Sequence, residues 1–461
     1  MRESDPCLGG PPNILLVIAD DISAYQLGCY GSGFYETPHL DQLANDGVRF
    51  AHSYSTSPVC SPARASLYTG QHPARLHLTN YIPGTEPANP RLLTPSWNRG
   101  LPVEIDTLGD VFKRAGYTTA QMGKWHLATD YNYQPGRATD PESQGFDEVL
   151  VTRKPSEFAD PEADPHHIEQ LTDEALRFIR KPHGKPFLCV LAHNALHRPE
   201  LAPAALVEKY AAKPGSELDH QRPVLAAMVE QMDNAVGRLL VGLSEAGLER
   251  NTLVVFTADH GAFGRSADLK PLRGAKADLY EGGLRVPLIC SQPGVVAPAV
   301  CETPVYGADV FSTLLDYAGI ALPTPLDGES LVPLLREDGG TPCLHDQLCW
   351  HFPHYHHLGV APSGAIRVGA HKLIEWYDRT IGDMTDGPAC ELYDLERDPS
   401  EQTNLADREP EICADLLNRL REWRISVGAQ EMVRNPDFNP ALGGSEAGPP
   451  PGDLGNPYID S

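Results

Sequence analysis

Cys60 stands in a setting unlike that of an ordinary packing thiol. In Cys60-Ser61-Pro62-Ala63-Arg64 a proline and a good helix former follow the cysteine. The spacing predicts a helix beginning at Cys60, with Arg64 one turn further along the same face. That geometry favours an anion at position 60. A lone cysteine taken by itself more often fills a core. Elsewhere, three apolar runs end in polar groups. Asn13–Ala19 ends in Asp20-Asp21, Leu253–Ala258 in Asp259-His260, and Phe187–Ala192 in His193 with His197 close behind. Hard divalent ions take carboxylate oxygens, and Asp20, Asp21 and Asp259 converging from two strand ends would supply them. Asp20-Asp21 in isolation reads equally well as a helix cap.

The elements that must position these groups follow from periodicity. The three runs are short, rich in β-branched residues and apolar on both faces, as buried parallel strands are. Segments 106–115, 168–179 and 224–246 repeat apolar residues at three and four, as helices do. Strands alternating with such helices predict an α/β fold, a large mostly parallel sheet between helices, with its site at the carboxyl ends of the strands. Past Pro342 the texture changes to short hairpin-like segments, at 365–368, 372–376 and 391–395, and then a helix over 410–427. We divide the chain into a catalytic domain over 12–341, a small α+β domain over 342–434 and a Pro/Gly-rich tail over 435–461, extended or disordered.

The 461 residues carry a formal charge of −25, which makes nucleic acid and anionic membranes poor partners. No run is long and apolar enough to span a bilayer, so no membrane partner is expected. Ten cysteines without CxxC pairs give neither a zinc ribbon nor a disulfide framework, and free buried thiols are expected. The first eleven residues lack a basic start and an apolar core. A cytoplasmic protein is expected as the sequence stands, or a periplasmic or secreted one if a leader was trimmed.

The segment around Cys60, with Thr56-Ser57-Pro58-Val59 before it and Ala65-Ser66-Leu67-Tyr68-Thr69-Gly70 behind, resembles the type I sulfatase signature Cys-x-Pro-x-Arg. In that family a maturation enzyme oxidises the cysteine to formylglycine. Asp20-Asp21 matches the opening metal pair of the family. Gly116 to His126, ending Gly123-Lys124-Trp125-His126, resembles its second signature. Leu272-Arg273-Gly274-Ala275-Lys276 with Glu281-Gly282-Gly283-Leu284-Arg285-Val286-Pro287 resembles a third. The order is kept from residue 13 to about 405.

The resemblance implies an alkaline-phosphatase-like fold and one divalent metal held by Asp20, Asp21, the modified Cys60, Asp259 and His260. Many relatives carry Asn where His260 stands, whereas a subset of sulfatases and related phosphonate hydrolases carry His. Ca²⁺ is the first choice. The softer imidazole keeps Mg²⁺ and Mn²⁺ open. A sulfate monoester is a diffuse monoanion, so its cleavage needs cations around the SO₃ group and an acid at the leaving oxygen. By resemblance Lys124 and Lys276 clamp the sulfate and Arg64 holds the nucleophile. A hydrate at position 60 attacks sulfur, His197 protonates the departing alcohol, and His126 is the base that frees sulfate. His197 lies in Asn194-Ala195-Leu196-His197-Arg198-Pro199, similar to the family's Asn-Ala-Pro-His-x-Pro. His193 is its neighbour and competitor, expected to make a structural bond to the backbone.

His72, His77 and Asn80 follow the nucleophile helix and are expected to line the leaving-group pocket. His351 and His354, in a tract fitting no tetrahedral zinc spacing, are expected at a substrate-facing rim. Leu78 to Gly84 is similar to a stretch of carbohydrate-desulfating members. A sulfated sugar is the expected substrate, small or sparsely sulfated because the acidic chain repels a dense polyanion. The expected partners are that sulfated small molecule or oligosaccharide and the formylglycine-generating maturation enzyme. The competing readings are a phosphonate monoester or phosphodiester hydrolase of the same superfamily, and an inactive metal-binding homologue.

Overall fold

A computed structural model describes residues 10–129, 133–218, 220–264, 271–336, 344–385 and 387–442. Eight strands form the main sheet: β1 (Asn13–Ala19), β2 (Val48–Phe50), β3 (Thr118–Gly123), β4 (Glu148–Leu150), β5 (Phe187–Ala192), β6 (Thr252–Ala258), β7 (Leu288–Ser291) and β8 (Ala299–Cys301). Their order across the sheet is β8-β2-β7-β6-β1-β5-β3-β4. All pairings are parallel except those of β7 with its two neighbours.

β1 lies between β5 and β6, and its seven residues are all buried. Leu15, Val17 and Ala19 join one apolar cluster with helices Ile168–Ile179 and Pro223–Glu245. Ile14, Leu16 and Ile18 join another, with helices Cys60–Thr69 and Gly307–Tyr317 on the opposite face. A strand covered on both faces needs apolar residues at every position, hence the unbroken Ile-Leu-Leu-Val-Ile. Because β1, β3, β5 and β6 run in parallel, Asp20, Lys124, His193 and Asp259 leave the sheet at one edge.

A second, antiparallel sheet comprises β9 (Leu348–Phe352), β10 (Ser363–Val368), β11 (His371–Trp376) and β12 (Cys390–Asp394) in that order. One face carries helix Pro410–Ser426. The other places Trp350, Phe352, Ile374 and Trp376 in a cluster with Tyr54, Val59, Ala277 and Leu284. Trp350 Nε1 donates to the Ser55 carbonyl at 2.7 Å. The small sheet thus braces the loops on either side of the site, those of Val59-Cys60 and Lys276-Ala277.

The start of the expected tail is attached. Val433–Arg434 pairs antiparallel with Leu92–Leu93, and Asn435 N–H donates to the Arg91 carbonyl at 2.9 Å. The remainder, 443–461, lies outside the described residues. The eight described cysteines are all free. No helix among the described residues is long and apolar enough to cross a membrane.

Candidate active site

Cys60 is the first residue of the buried helix Cys60–Thr69, which ends at Gly70 in the left-handed region (φ 68°). Its thiol stands 3.1 Å from His260 Nε2, 3.8 Å from Asp20 Oδ1 and 3.5 Å from Lys276 Nζ. One ligand atom from each of Asp20, Asp21, Cys60 and His260 lies within 4.8 Å of the others, and all four residues are buried. Residues 200 or more apart in sequence meet here because the parallel strands deliver them to one edge.

Asp259 borders this group rather than joining it. Its Oδ2 accepts from Arg64 Nε at 2.9 Å, and its Oδ1 accepts from the backbone N–H groups of His260 at 2.9 Å and Asp21 at 3.4 Å. The same Oδ1 is 3.8 Å from His260 Nε2. Arg64 likewise differs from its expected role. It grips Asp259 and, through Nη1, the Lys124 carbonyl at 3.1 Å, and so fixes the walls of the site rather than touching position 60.

Two lysines bracket the cluster. Lys124 Nζ is 2.5 Å from Asp20 Oδ2, and Lys276 Nζ is 2.8 Å from Asp21 Oδ1. Lys124 is placed by the end of β3, where Gly123 (φ 98°) passes so close to β5 that a Cβ would meet the Ala192 carbonyl at 1.9 Å. Only glycine fits that turn. Asp21, His126 and Ala277 also hold left-handed backbone, at φ 60°, 59° and 77°. Such conformations in non-glycine residues cost about 1–3 kcal/mol each and gather where a site dictates side-chain direction.

The electrostatics follow from burying opposite charges together. Burial would raise the Cys60 thiol, but Lys124 and Lys276 outweigh it and bring it down to about 5. Burial lifts Asp21 to about 6 despite Lys276, whereas Lys124 and Arg64 overcome burial at Asp20 and hold it well below the usual carboxylate range. Burial opposes charge on His260, yet Asp259 and Cys60 carry it up to about 9. Its Nδ1–H donates to the Gly261 carbonyl at 2.9 Å, which leaves Nε2 as the atom facing Cys60 and Asp21.

His126 donates from Nε2 to the Ile82 carbonyl at 2.7 Å; burial and then Lys124 push its pKa well below the ordinary value. His197 is half-buried and bonds the Arg198 carbonyl through Nδ1 at 2.8 Å. Burial and then Lys276 hold it far down, while Asp20 pulls the other way. His193 departs from expectation. It is fully buried, and neither ring nitrogen has a hydrogen-bond partner among the described residues.

The expected pocket residues divide. His72 is buried in structural bonding: Nδ1 accepts from the Ala74 N–H at 3.0 Å and Nε2 bonds the Cys349 carbonyl at 3.1 Å. His77 closes the short helix Pro73–Leu76 and bonds the Gly428 carbonyl at 2.8 Å. His351 is tied to Tyr377 Oη at 2.7 Å and the Gln430 carbonyl at 2.9 Å. His72 and His77 thus tie the segment after the nucleophile helix to the C-terminal part of the chain, and His351 makes its bonds within that part. Asn80 is buried and caps the Tyr81 N–H at 2.9 Å, and His354 is buried with Nε2 2.8 Å from Thr79 Oγ1. Tyr81 and His356, whose rings meet edge to face, lie nearer the chemistry, within the electrostatic reach of Lys276. Tyr81, His356 and Arg198 lie inside stretches that the sequence singles out for other residues, whereas Lys154 and Phe263 lie in none of them.

The donor set fits a divalent cation. Asp21 Oδ2 is buried and accepts no hydrogen bond among the described residues, an expensive omission unless a cation satisfies it. Two carboxylates and an imidazole nitrogen presented with position 60 are ligands suited to such an ion.

Comparison with known proteins agrees with this geometry. Residues 12–320 match the sulfatase family, and residues 275–426 match the C-terminal region of N-sulphoglucosamine sulphohydrolase. The chain is 30% identical to human arylsulfatase A, with 94% of this chain and 92% of the relative covered. It is 32% identical to the N-acetylgalactosamine-6-sulfatase of Rattus norvegicus over 71% of this chain and 66% of that protein. The solved structure of Ps i-CgsB in complex with k-i-k-neocarrahexaose superposes with a TM-score of 0.70 at 25% identity, covering 90% of this chain and 93% of that one. With its parallel sheet, its cysteine-headed helix and this match over most of its length, the chain belongs to the sulfatase family, hydrolases of sulfuric esters.

Proposed function

We propose that the protein releases inorganic sulfate from a sulfated carbohydrate, with position 60 matured to formylglycine and a divalent cation held by Asp20, Asp21, His260 and the modified residue, Asp259 standing at its border. The observation that carries this reading is the convergence of four buried ligand groups within 4.8 Å between two lysines. When present, the cation and the hydrated aldehyde supply an activated hydroxyl nucleophile and Lewis-acid stabilisation of the sulfate oxygens. Ca²⁺ is the first choice for an oxygen-rich site, and the imidazole of His260 keeps Mg²⁺ and Mn²⁺ as alternatives.

The chain's own residues do the rest. Lys276, 3.5 Å from Cys60 Sγ, and Lys124 hold the sulfate oxygens, each oriented by an aspartate. Arg64 fixes Asp259 and the Lys124 backbone, so the clamp is rigid before substrate arrives. His197 is neutral in the free site because burial and Lys276 oppose its charge. An anion seated beside it offsets Lys276 and lets Nε2 carry the proton that the leaving oxygen needs. His126, also neutral, is the base at position 60 in this reading. A carbohydrate substrate is supported by the N-acetylgalactosamine-6-sulfatase relative and by the neocarrahexaose complex of Ps i-CgsB. A formylglycine-generating enzyme is then an obligatory partner.

The test is sulfate release from sulfated mono- and disaccharides by protein matured with the modifying enzyme, with nitrophenyl sulfate and a phenyl phosphonate ester in parallel. The reading expects sulfate-ester turnover to exceed phosphonate turnover. The reverse order would make the protein a phosphonate hydrolase.

A further inference from the structure

Two cations at the mouth of the site have no carboxylate partner among the described residues. Lys124 and Lys276 are neutralised by Asp20 and Asp21, as expected in a chain with 62 acidic residues. Arg198, exposed beside His197, makes no ion pair among the described residues; its guanidinium lies over the Phe263 ring, 4.9 Å from the centroid. The Lys276 ammonium is 5.9 Å from the centroid of the same ring. Arg198 is therefore one aromatic ring away from the sulfate clamp, and its carbonyl anchors His197 Nδ1.

Lys154 reaches the same region from β4. The Thr152 N–H donates to the Gly123 carbonyl at 3.4 Å, and Asn194 Nδ2 donates to Thr152 Oγ1 at 2.7 Å. These bonds pin the segment leading to Lys154 between the residues just before Lys124 and just after His193. Burial, then the positive charges of Lys276 and Lys124, lower its pKa. Lys124 and Lys276 are matched by Asp20 and Asp21, so Lys154 and Arg198 are the cations here that no carboxylate among the described residues neutralises. On a molecule of net charge −25 they also form a local positive entrance.

We propose that Arg198, assisted by Lys154, is a subsite for a second anionic group on the substrate, a carboxylate or a further sulfate on the sugar that carries the scissile ester. This rests on the sulfatase reading and narrows its substrate class to dianionic sugars. A guanidinium presents paired N–H donors that match either oxyanion, and Phe263 holds that fork in place beneath it.

The experiment compares wild type, Arg198→Met, Arg198→Lys and Lys154→Met on nitrophenyl sulfate, a monosulfated neutral sugar, a disulfated monosaccharide and a sulfated disaccharide bearing a uronate. Each sugar is read as kcat/KM relative to nitrophenyl sulfate, and as Kd by calorimetry. Wild type should prefer a dianionic sugar over the neutral one. Arg198→Met should cut that preference about tenfold, mainly through KM and Kd, with partial recovery in Arg198→Lys and a smaller loss in Lys154→Met. Loss confined to the uronate or to the disulfate substrate identifies which anion is bound. An unchanged preference in Arg198→Met would overturn the proposal. Absence of sulfate release from every substrate would instead overturn the sulfatase reading, and the calorimetric ratio would still decide the subsite.

Discussion

Arg64 Nε and Asp259 Oδ2 are joined at 2.9 Å with both side chains fully shielded from water, linking the nucleophile helix to the end of β6. Removing one member of such a pair strands the other charge. Arg64→Met leaves Asp259 and Asp20 without their shared counter-charge, and should lower unfolding stability by about 3–5 kcal/mol, read from the denaturant midpoint at constant m-value.

In the proposed mechanism Lys124 and Lys276 clamp the sulfate, so Lys124→Ala and Lys276→Ala would each remove one side of the clamp. Each should reduce kcat on nitrophenyl sulfate by roughly 10²–10³-fold, the scale of losing one preorganised electrostatic contact. Both lysines are buried against aspartates, so circular dichroism and Tm are read beside activity to separate loss of the contact from loss of the fold. A tenfold or smaller loss in either variant would argue that its lysine does not touch the sulfate.

Asp20 and Asp21 are adjacent buried carboxylates, and Asp21 keeps an unsatisfied oxygen. Chelation should abolish turnover and lower Tm, because an ion bound only by the folded state stabilises it by mass action. Re-addition of Ca²⁺, Mg²⁺ or Mn²⁺ separately, with Tm and activity read together, ranks the metals. A Tm indifferent to chelator and to all three ions would argue against a structural cation at this site.

His345 Nε2 meets both carboxylate oxygens of Asp309, at 2.9 and 3.0 Å. Burial opposes charge on the ring, but Asp309 outweighs it and raises the pKa above the ordinary 6.5. A raised histidine contributes stability that is complete below 6.5 and lost as pH climbs through the folded value. Tm should therefore fall on going from pH about 6 to about 8, and His345→Gln should flatten that slope. A variant with the wild-type slope would show that another group titrates there.

Much of the architecture was legible because a strand buried on both faces must be apolar throughout. β1 and β5 have the bounds that their residues suggest, and β6 begins one residue earlier. The antiparallel β7 within the parallel sheet was not, since Leu288–Ser291 is four apolar or small residues with no periodicity to read. The approach of Asp20, Asp21 and the Asp259-His260 end was legible from the rule that sites gather at the carboxyl ends of parallel strands, whereas Cys60, at the head of a helix, was joined to them by the family resemblance. The roles of His72, His77 and His351 were not. A histidine's sequence neighbours do not reveal which backbone carbonyl, often hundreds of residues away, its ring will meet. His193 shows the converse: a strand-end histidine expected to bond the backbone is buried without any such bond among the described residues. Arg198 and Lys154 were invisible as a pair because the Phe263 ring and the Asn194–Thr152 bond that draw them toward the clamp exist only in the fold.

The most direct measurement is the mass of the peptide that carries position 60, from protein produced with a maturation enzyme and assayed for sulfate release on the same sample. The account predicts that sulfur is replaced by oxygen with loss of two hydrogens, and that turnover rises in proportion to the converted fraction. An intact Cys60 thiol in protein that releases sulfate at full rate would contradict it.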